Sequence, residues 1–202
     1  MKTTEVAVKT KWSIDQSHSE IAFKVRHLMI AHVKGIFKIF DASIYTTAKD
    51  FSTAEIDLWI DASSIFTGDT KRDEHLKSAD FFDVFNHKQI AFTSNTIGKA
   101  DPDGNHELWG ELTMIGVTKT VKLNAQFGGI IRDPWGNEKA GFTVTGKINR
   151  SDWNLMWNTS LETGGLMVSD EVTISCEVEL INIGQKDLTI LLDPVEGKKA
   201  VL

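Results

Sequence analysis

Alternation of apolar and polar side chains dominates the chain, and this period of two is typical of strands with one buried face. After a short extended entry at residues 11–15, strands are predicted at residues 21–27, 32–46, 54–60, 90–97, 107–115, 121–127, 142–148 and 172–180. Turn sequences such as DPDGN at residues 101–105 separate them. Eight strands with short connections indicate an antiparallel all-β sandwich or a closed barrel.

The second predicted strand is irregular. Phe40 interrupts its alternation, which indicates either a bulge near Lys38 to Phe40 or a segment that is covered on both faces. Gly35 lies in the interior of the same strand, where a glycine fits the sharp bend that a barrel corner requires.

One stretch, residues 69–94, changes period. Its apolar residues recur about every three positions with charged residues between them, which predicts a short amphipathic helix before the strand at residue 90. Asp69 or Thr70 is placed to cap this helix. We interpret it as lying across the mouth of a barrel, which Phe81 and Phe82 would fill. The alternative is a connector that caps the barrel end and touches no ligand.

The inward faces of the strands predict one continuous apolar lining. By alternation it comprises Phe23, Val25, Phe37, Leu58, Ile60, Phe92, Leu112, Met114, Phe142, Val144 and Ile148. No acidic residue and no lysine is among these positions, so the lining suits an unbranched or methyl-branched hydrocarbon chain. The glycines at positions 35, 110 and 146 remove interior bulk and favour a cavity over a filled barrel.

Polar contacts to such a ligand are predicted at the mouth, where His27, Arg72, His75 and Trp153 are the candidates. His27 shares the dry face of its strand with Phe23, which leaves two interpretations. It is a core histidine hydrogen-bonded to a neighbour, or it donates to a ligand head group at the end of an apolar tunnel.

Composition narrows the function. The net charge of −6 in 202 residues argues against a nucleic-acid or anionic-membrane partner. The single cysteine, Cys176, excludes an intramolecular disulfide and is expected to be an inert buried thiol. The six histidines form no zinc-binding spacing and the serines stand in no nucleophile-elbow motif. We therefore expect neither a metal nor a catalytic site, and no cofactor.

The chain contains no apolar run of the roughly 18 residues that span a bilayer, and its first residues lack the apolar region of a signal peptide. As written, the sequence predicts a cytoplasmic protein. A periplasmic location is expected if the N-terminus has been trimmed.

Four blocks of sequence resemble the YceI-like family of polyisoprenoid-binding proteins. They are WSID at 12–15 with HS at 18–19, FKVRH at 23–27 and GIF at 35–37; RDEHLKSADFFDV at 72–84 with FTS at 92–94; GELT at 110–113 with GVTK at 116–119; and RSDW at 150–153 with SDEV at 169–172. The resemblance implies an eight-stranded antiparallel, lipocalin-like β-barrel that holds a long apolar ligand, often as a homodimer. The chain departs from the family pattern at two places. Lys88 and Gln89 stand where the family usually has a proline just before the strand at Ile90, and Asn154 stands where it usually has glycine.

On this resemblance, residues 12–183 form the lipid-binding barrel, flanked by extensions at 1–11 and 184–202. The function that the resemblance implies is to bind a polyisoprenoid or isoprenoid-quinone-type lipid for transport, storage or sequestration. A bound isoprenoid or fatty lipid is then expected in place of a cofactor. An enzyme acting on such a lipid and an interaction protein with a filled barrel are the alternatives. Trp59 and Trp109 fall on outward faces, and the apolar segment 189–192 needs a docking surface, so a homodimer is also expected.

Overall fold

The computed structural model describes residues 9–160 and 166–186, which form eleven strand segments and one α-helix. The strands are β1 (Lys9–Ile14), β2 (Glu20–His27), β3 (Ala31–Phe37), β4 (Phe40–Thr47), β5 (Asp50–Asp61), β6 (Ile65–Phe66), β7 (Gln89–Ile97), β8 (Asn105–Met114), β9 (Val117–Arg132), β10 (Glu138–Asn149) and β11 (Val168–Lys186), and helix α1 is Thr70–Lys77. Short 3₁₀ turns occupy Ala62–Ser64 and Arg150–Trp153. No helix among the described residues is long and apolar enough to cross a bilayer.

The segments close into an antiparallel barrel of eight strands, as predicted. β1 and β2 lie end to end along β11, because β1 pairs with its residues 180–186 and β2 with its residues 168–177. β3 and β4 likewise lie end to end, since β3 pairs with β2 and β4 with β1. Each pair therefore serves as one strand of the ring, and β6 adds a two-residue pairing to β3.

Irregularities in the strands shape the ring. Lys38 and Ile39 are exposed between the buried Phe37 and Phe40, so the strand predicted over residues 32–46 is interrupted here by a two-residue break and is not covered on both faces. The Ser64 hydroxyl accepts both freed N–H groups, each at 3.1 Å. A bulge lies between β9 and β10, where the pairing skips Gly128 next to Gly129, whose φ of +119° favours glycine.

Helix α1 is shorter than its sequence pattern indicated. Asp69 caps it, with a side-chain oxygen accepting the Arg72 N–H at 2.9 Å. Ser78 ends it by directing both its N–H and its hydroxyl to the His75 carbonyl. The two phenylalanines assigned to the helix lie in the turns that follow it. Asp73 is buried and accepts two hydrogen bonds from Thr67, which ties the helix to β6.

An ion-paired cluster holds the barrel together where β1 gives way to β2. The Lys139 ammonium of β10 reaches Asp15 at 3.0 Å and Glu179 at 2.6 Å. The Ser17 hydroxyl also donates to Asp15, as do its N–H and His18. These hydrogen bonds, that of Ser17 above all, hold the pKa of the Asp15 carboxyl well below its ordinary value of 3.8.

The depressed pKa predicts an acid-sensitive contribution to stability. Because folding lowers the pKa of Asp15, its contribution is complete above 3.8 and is lost as the pH falls below that value. We expect Asp15→Asn to be less stable than the parent at neutral pH, and to lose less unfolding free energy on acidification. Urea titrations between neutral pH and about pH 2.5 measure both effects.

The matched control is Asp152→Asn, since this exposed carboxylate makes no hydrogen bond or ion pair within the described part of the chain. An Asp15→Asn profile as steep in acid as that of the parent would contradict the assignment.

Candidate ligand cavity

The barrel encloses a cavity of about 290 Å³. Its wall is formed by Ile14, Ile21, Ala22, Phe23, Val25, Phe37, Ala42, Ile44, Phe51, Ala54, Ile56, Leu58, Ile60, Leu76, Phe81, Phe82, Ile90, Phe92, Ile97, His106, Leu108, Leu112, Met114, Val121, Leu123, Ala125, Phe142, Val144, Ile148, Arg150, Leu155, Val168, Val172, Ile174, Cys176, Val178 and Leu180. Among the residues that the structure describes, the wall contains no carboxylate and no lysine. It is therefore an apolar compartment with isolated polar groups.

Most of the residues predicted to bind a ligand lie in this wall. They are Phe23, Val25, Phe37, Leu58, Ile60, Phe81, Phe82, Phe92, Leu112, Met114, Phe142, Val144 and Ile148. The agreement follows from closure, because each strand of a small barrel presents alternate residues to the interior.

Aromatic clusters lie at both ends of the cavity. At the end where β5 begins, Phe51 packs against Trp12, Phe127 and Phe142, with ring centroids 4.9–5.7 Å apart. The sequence prediction missed Phe51 because it stands next to a turn, outside the alternation recognised for its strand. A residue of this size immediately after Asp50 was the available signal.

At the opposite end, the turns after α1 bring two phenylalanines into the wall. Phe82 meets Phe37 edge-on at 6.0 Å. Phe81 packs against Trp157 at 5.3 Å, which joins the helical segment to the loop after β10. Together with Leu76, these side chains form the cavity wall at this end, in agreement with the predicted plug.

The three interior glycines have a different role from the one predicted. A Cβ at Gly35 would lie 2.3 Å from the Phe23 ring, and one at Gly110 would lie 2.4 Å from the Phe92 ring. A Cβ at Gly146 would meet Leu123 just as closely. Each glycine therefore makes room for a particular neighbouring side chain, so the space that it frees is filled by that side chain.

None of the four predicted head-group contacts lies in the cavity wall. His27 is at the far end of β2, opposite Ala31, two positions beyond Val25, the last wall residue of that strand. The Arg72 guanidinium instead binds the Thr67 hydroxyl and carbonyl at 2.7 and 2.9 Å, and so anchors the N-terminal turn of α1.

The other two candidates are held in neighbouring structure. His75 lies 2.9 Å from an Asp80 oxygen and packs edge-on against Trp157. Trp153 is buried behind the wall, with its indole N–H donating to the Leu112 carbonyl at 3.0 Å. Local hydrogen bonds and packing, which the alternation pattern does not encode, therefore hold both side chains outside the cavity wall.

His106 and Arg150 are the polar wall residues instead. The ring nitrogen Nδ1 of buried His106 lies 2.8 Å from the Gly98 carbonyl, which leaves Nε2 as an acceptor if Nδ1 carries the proton. The Arg150 guanidinium donates to the carbonyls of Ser169, Leu155 and Trp157. Burial lowers the pKa of Arg150, but an arginine remains charged in proteins. The two residues stand at opposite ends of the barrel.

The cavity wall contains one thiol, that of Cys176. Burial raises the pKa of the Cys176 thiol to about 11, so at neutral pH it is a thiol and a poor nucleophile. Outside the cavity, Asp15, His18 and Glu179 bring potential metal-ligand atoms within 4.8 Å of one another. The Lys139 ammonium already binds both of these carboxylates, so the cluster is accounted for as an ion-pair network.

Comparison with known proteins identifies the family. Residues 12–180 match the model of the YceI-like domain. The chain belongs to the YceI-like family. A UPF0312 protein of Staphylococcus aureus strain MSSA476 is 34% identical over 171 residues, which cover 84% of this chain and 96% of that protein.

Solved structures agree with the family assignment. The YCEI protein of Campylobacter jejuni is 33% identical, with a TM-score of 0.68 over 90% of this chain and 99% of that one. BcnA of Burkholderia cenocepacia shares the fold at 22% identity, with a TM-score of 0.71 over 82% and 98% of the two chains. A domain from Saccharophagus degradans, described as polyisoprenoid binding, shares it at 15% identity and a TM-score of 0.59 over 85% and 98%.

The glycine contacts predict a steric cost. Gly35→Ala forces the added methyl group against the Phe23 ring and the Thr67 methyl group, so we expect it to lower the unfolding free energy by about 1–3 kcal/mol. Gly98→Ala is the matched control, because its Cβ would have ordinary contacts with Glu107 from 3.5 Å. Urea denaturation of both variants measures the difference. Equal stability of the two variants would show that the Phe23 ring moves aside without cost.

Proposed function

We propose that this YceI-like protein binds a long-chain apolar lipid, of the polyisoprenoid or isoprenoid-quinone type, inside its barrel for transport, storage or sequestration. The observation that carries the proposal is the apolar cavity of about 290 Å³ between the two aromatic ends. A closed eight-stranded barrel has the interior width for one small ligand or a narrow chain.

Burial of the hydrocarbon provides the driving force. Each CH₂ group removed from water contributes about 0.8 kcal/mol, so ten such groups contribute roughly 8 kcal/mol before ordering costs. That is sufficient for micromolar binding or better. The wall offers few polar partners, so the hydrocarbon part of the ligand sets the binding affinity. Arg150 and His106 supply a donor and an acceptor at opposite ends, which tune the choice of head group.

The family supports the ligand class. The Saccharophagus degradans domain is described as polyisoprenoid binding, and it has the same barrel architecture. Because that domain is 15% identical to this chain, it is a precedent only for the use of this fold to bind such a lipid. The apolar wall of this chain is the independent physical reason to expect a ligand of that class.

Filling the cavity should abolish lipid binding. Val144→Phe adds an aromatic ring to the wall, and Leu112→Trp does so from another strand. Thr145→Phe is the matched control, because the neighbouring position on β10 points away from the cavity. Titration with a fluorescent polyisoprenoid, alongside circular dichroism, should show loss of binding for the two wall variants and normal binding for the control. Folded wall variants that bind like the parent would place the lipid outside the barrel.

We further propose a homodimer. Trp59 and Trp109 each remain 39% exposed on the outer faces of β5 and β8. Their strand partners on β7 are Ala91 and Thr96, which lie roughly 16 Å apart along that strand. The two rings therefore offer a partner two separate positions on one wall of the barrel. The segment 189–192, also predicted to dock, lies outside the described residues.

Sedimentation tests the dimer. We expect a species of twice the 22.5 kDa chain mass at micromolar concentration, and its dissociation in Trp59→Ser. Ser63→Ala, an exposed change next to β5, serves as the control. A parent protein that sediments only as a 22.5 kDa species at high micromolar concentration would refute the dimer.

A further inference from the structure

The β2–β3 hairpin exposes apolar side chains at its tip in an unfavourable backbone conformation. Leu28 and Met29 have φ of 51° and 61°, and Ile30 donates its N–H back to the His27 carbonyl. This is the geometry of a type I′ turn, in which asparagine and glycine are preferred. Instead of these residues the tip displays Met29, 49% exposed, and Ile30, 87% exposed. Burial within the described fold does not account for apolar residues at these positions.

The tip belongs to a larger apolar rim next to the cavity. The Leu28 N–H donates to the Met167 carbonyl at 2.8 Å, which brings the neighbouring Leu166 alongside the hairpin. Leu166 is 46% exposed. We define Met29, Ile30 and Leu166 as the apolar rim. The cavity-wall residue Val168 follows two positions after Leu166, so the rim lies at the edge of the ligand compartment.

The outer face of the same hairpin is basic. Lys24 lies directly opposite Lys34, and Arg26 directly opposite His32. Like charges at facing positions of a strand pair, as at Lys24 and Lys34, are unfavourable unless an anion covers them. Within the described residues, none of these four side chains is in an ion pair. We call them the basic face. The chain as a whole carries −6, so this positive surface is a local feature.

The opposite end of the barrel lacks this combination. Its β9–β10 hairpin also exposes large apolar residues, Ile131 at 67% and Trp135 at 82%. However, the turns at that end carry Asp50, Asp101, Asp103 and Asp133 against Lys49, Lys99 and Arg132, so they are acidic on balance. An anionic surface would repel these aspartates and attract the basic face, so charge distinguishes two ends that are both apolar.

We infer that the β2–β3 hairpin docks on the surface of an anionic lipid bilayer. Met29 and Ile30 enter the boundary between head groups and acyl chains, while the basic face contacts lipid phosphates. The net charge of −6 argues against binding of the surface as a whole to an anionic bilayer. The positive charges of the basic face reverse that expectation for the hairpin end of the barrel. Docking would bring the rim, and with it the adjacent cavity, to the membrane.

Vesicle co-sedimentation tests the inference. We expect the full chain to sediment with phosphatidylglycerol-containing vesicles, to bind pure phosphatidylcholine vesicles much more weakly, and to dissociate at high salt. The double variants Met29→Ser/Ile30→Ser and Lys24→Ser/Lys34→Ser should each weaken partitioning by roughly tenfold or more. All four positions are on the hairpin surface, and circular dichroism checks that the variants fold.

The matched control is Ile131→Ser/Trp135→Ser, which removes the exposed apolar residues at the acidic end and should leave vesicle binding unchanged. The inference is overturned if the parent does not bind anionic vesicles, if the hairpin variants bind like the parent, or if the control loses binding. It is also overturned if the hairpin variants change only the oligomeric state, because the rim would then contact a second copy of the chain.

Failure here and failure of the proposed cavity function give different results. Hairpin variants should take up a fluorescent polyisoprenoid from detergent as the parent does. Val144→Phe, which is expected to lose that uptake, should still sediment with anionic vesicles. If lipid uptake is found without vesicle binding, the docking inference is wrong. If vesicle binding is found without lipid uptake, the cavity proposal is wrong.

Discussion

Closure of the sheet along β11 is the constraint on which the rest of the structure depends. This nineteen-residue strand must pair with β10 on one side and with two shorter strands on the other. Between them the chain leaves the ladder at residues 15–19, yet β11 keeps its hydrogen bonds. The Asp15 N–H donates to the Glu179 carbonyl, and the Ser19 hydroxyl accepts the Glu179 N–H. Lys139 then neutralises the carboxylates that gather there.

Once the ring is closed, each strand residue faces either the interior of the barrel or its outer surface. The interior is then either filled by side chains or left as a cavity. Large rings fill the two ends, around Phe51 and around Phe81. Along the wall, glycine positions accommodate the rings of Phe23 and Phe92. The remaining space is apolar, so a ligand that enters it gains free energy chiefly by removing its own apolar surface from water.

The predictable part of this protein is the part governed by the period of two. Alternation located the strands and the apolar wall, because a closed barrel imposes one inward face on every strand. It did not show that Arg72 and Trp153 lie outside the wall, since their positions are determined by hydrogen bonds to Thr67 and Leu112. His106 shares a face with Leu108, so its place in the wall was readable from the sequence. The place of Arg150, after the end of its strand, was not.

The paired interruptions in the ring have a mechanical consequence. The break between β1 and β2 and the break between β3 and β4 fall side by side, in adjacent strands at the same height. The part built from β2 and β3 and the part built from β1 and β4 are each paired internally. β11 bridges the gap between them, together with the ion pairs of Lys139 to Asp15 and Glu179. The wall at this height therefore depends on one long strand and on charges outside the cavity, so the shape of an apolar compartment is tied to a cluster of ion pairs.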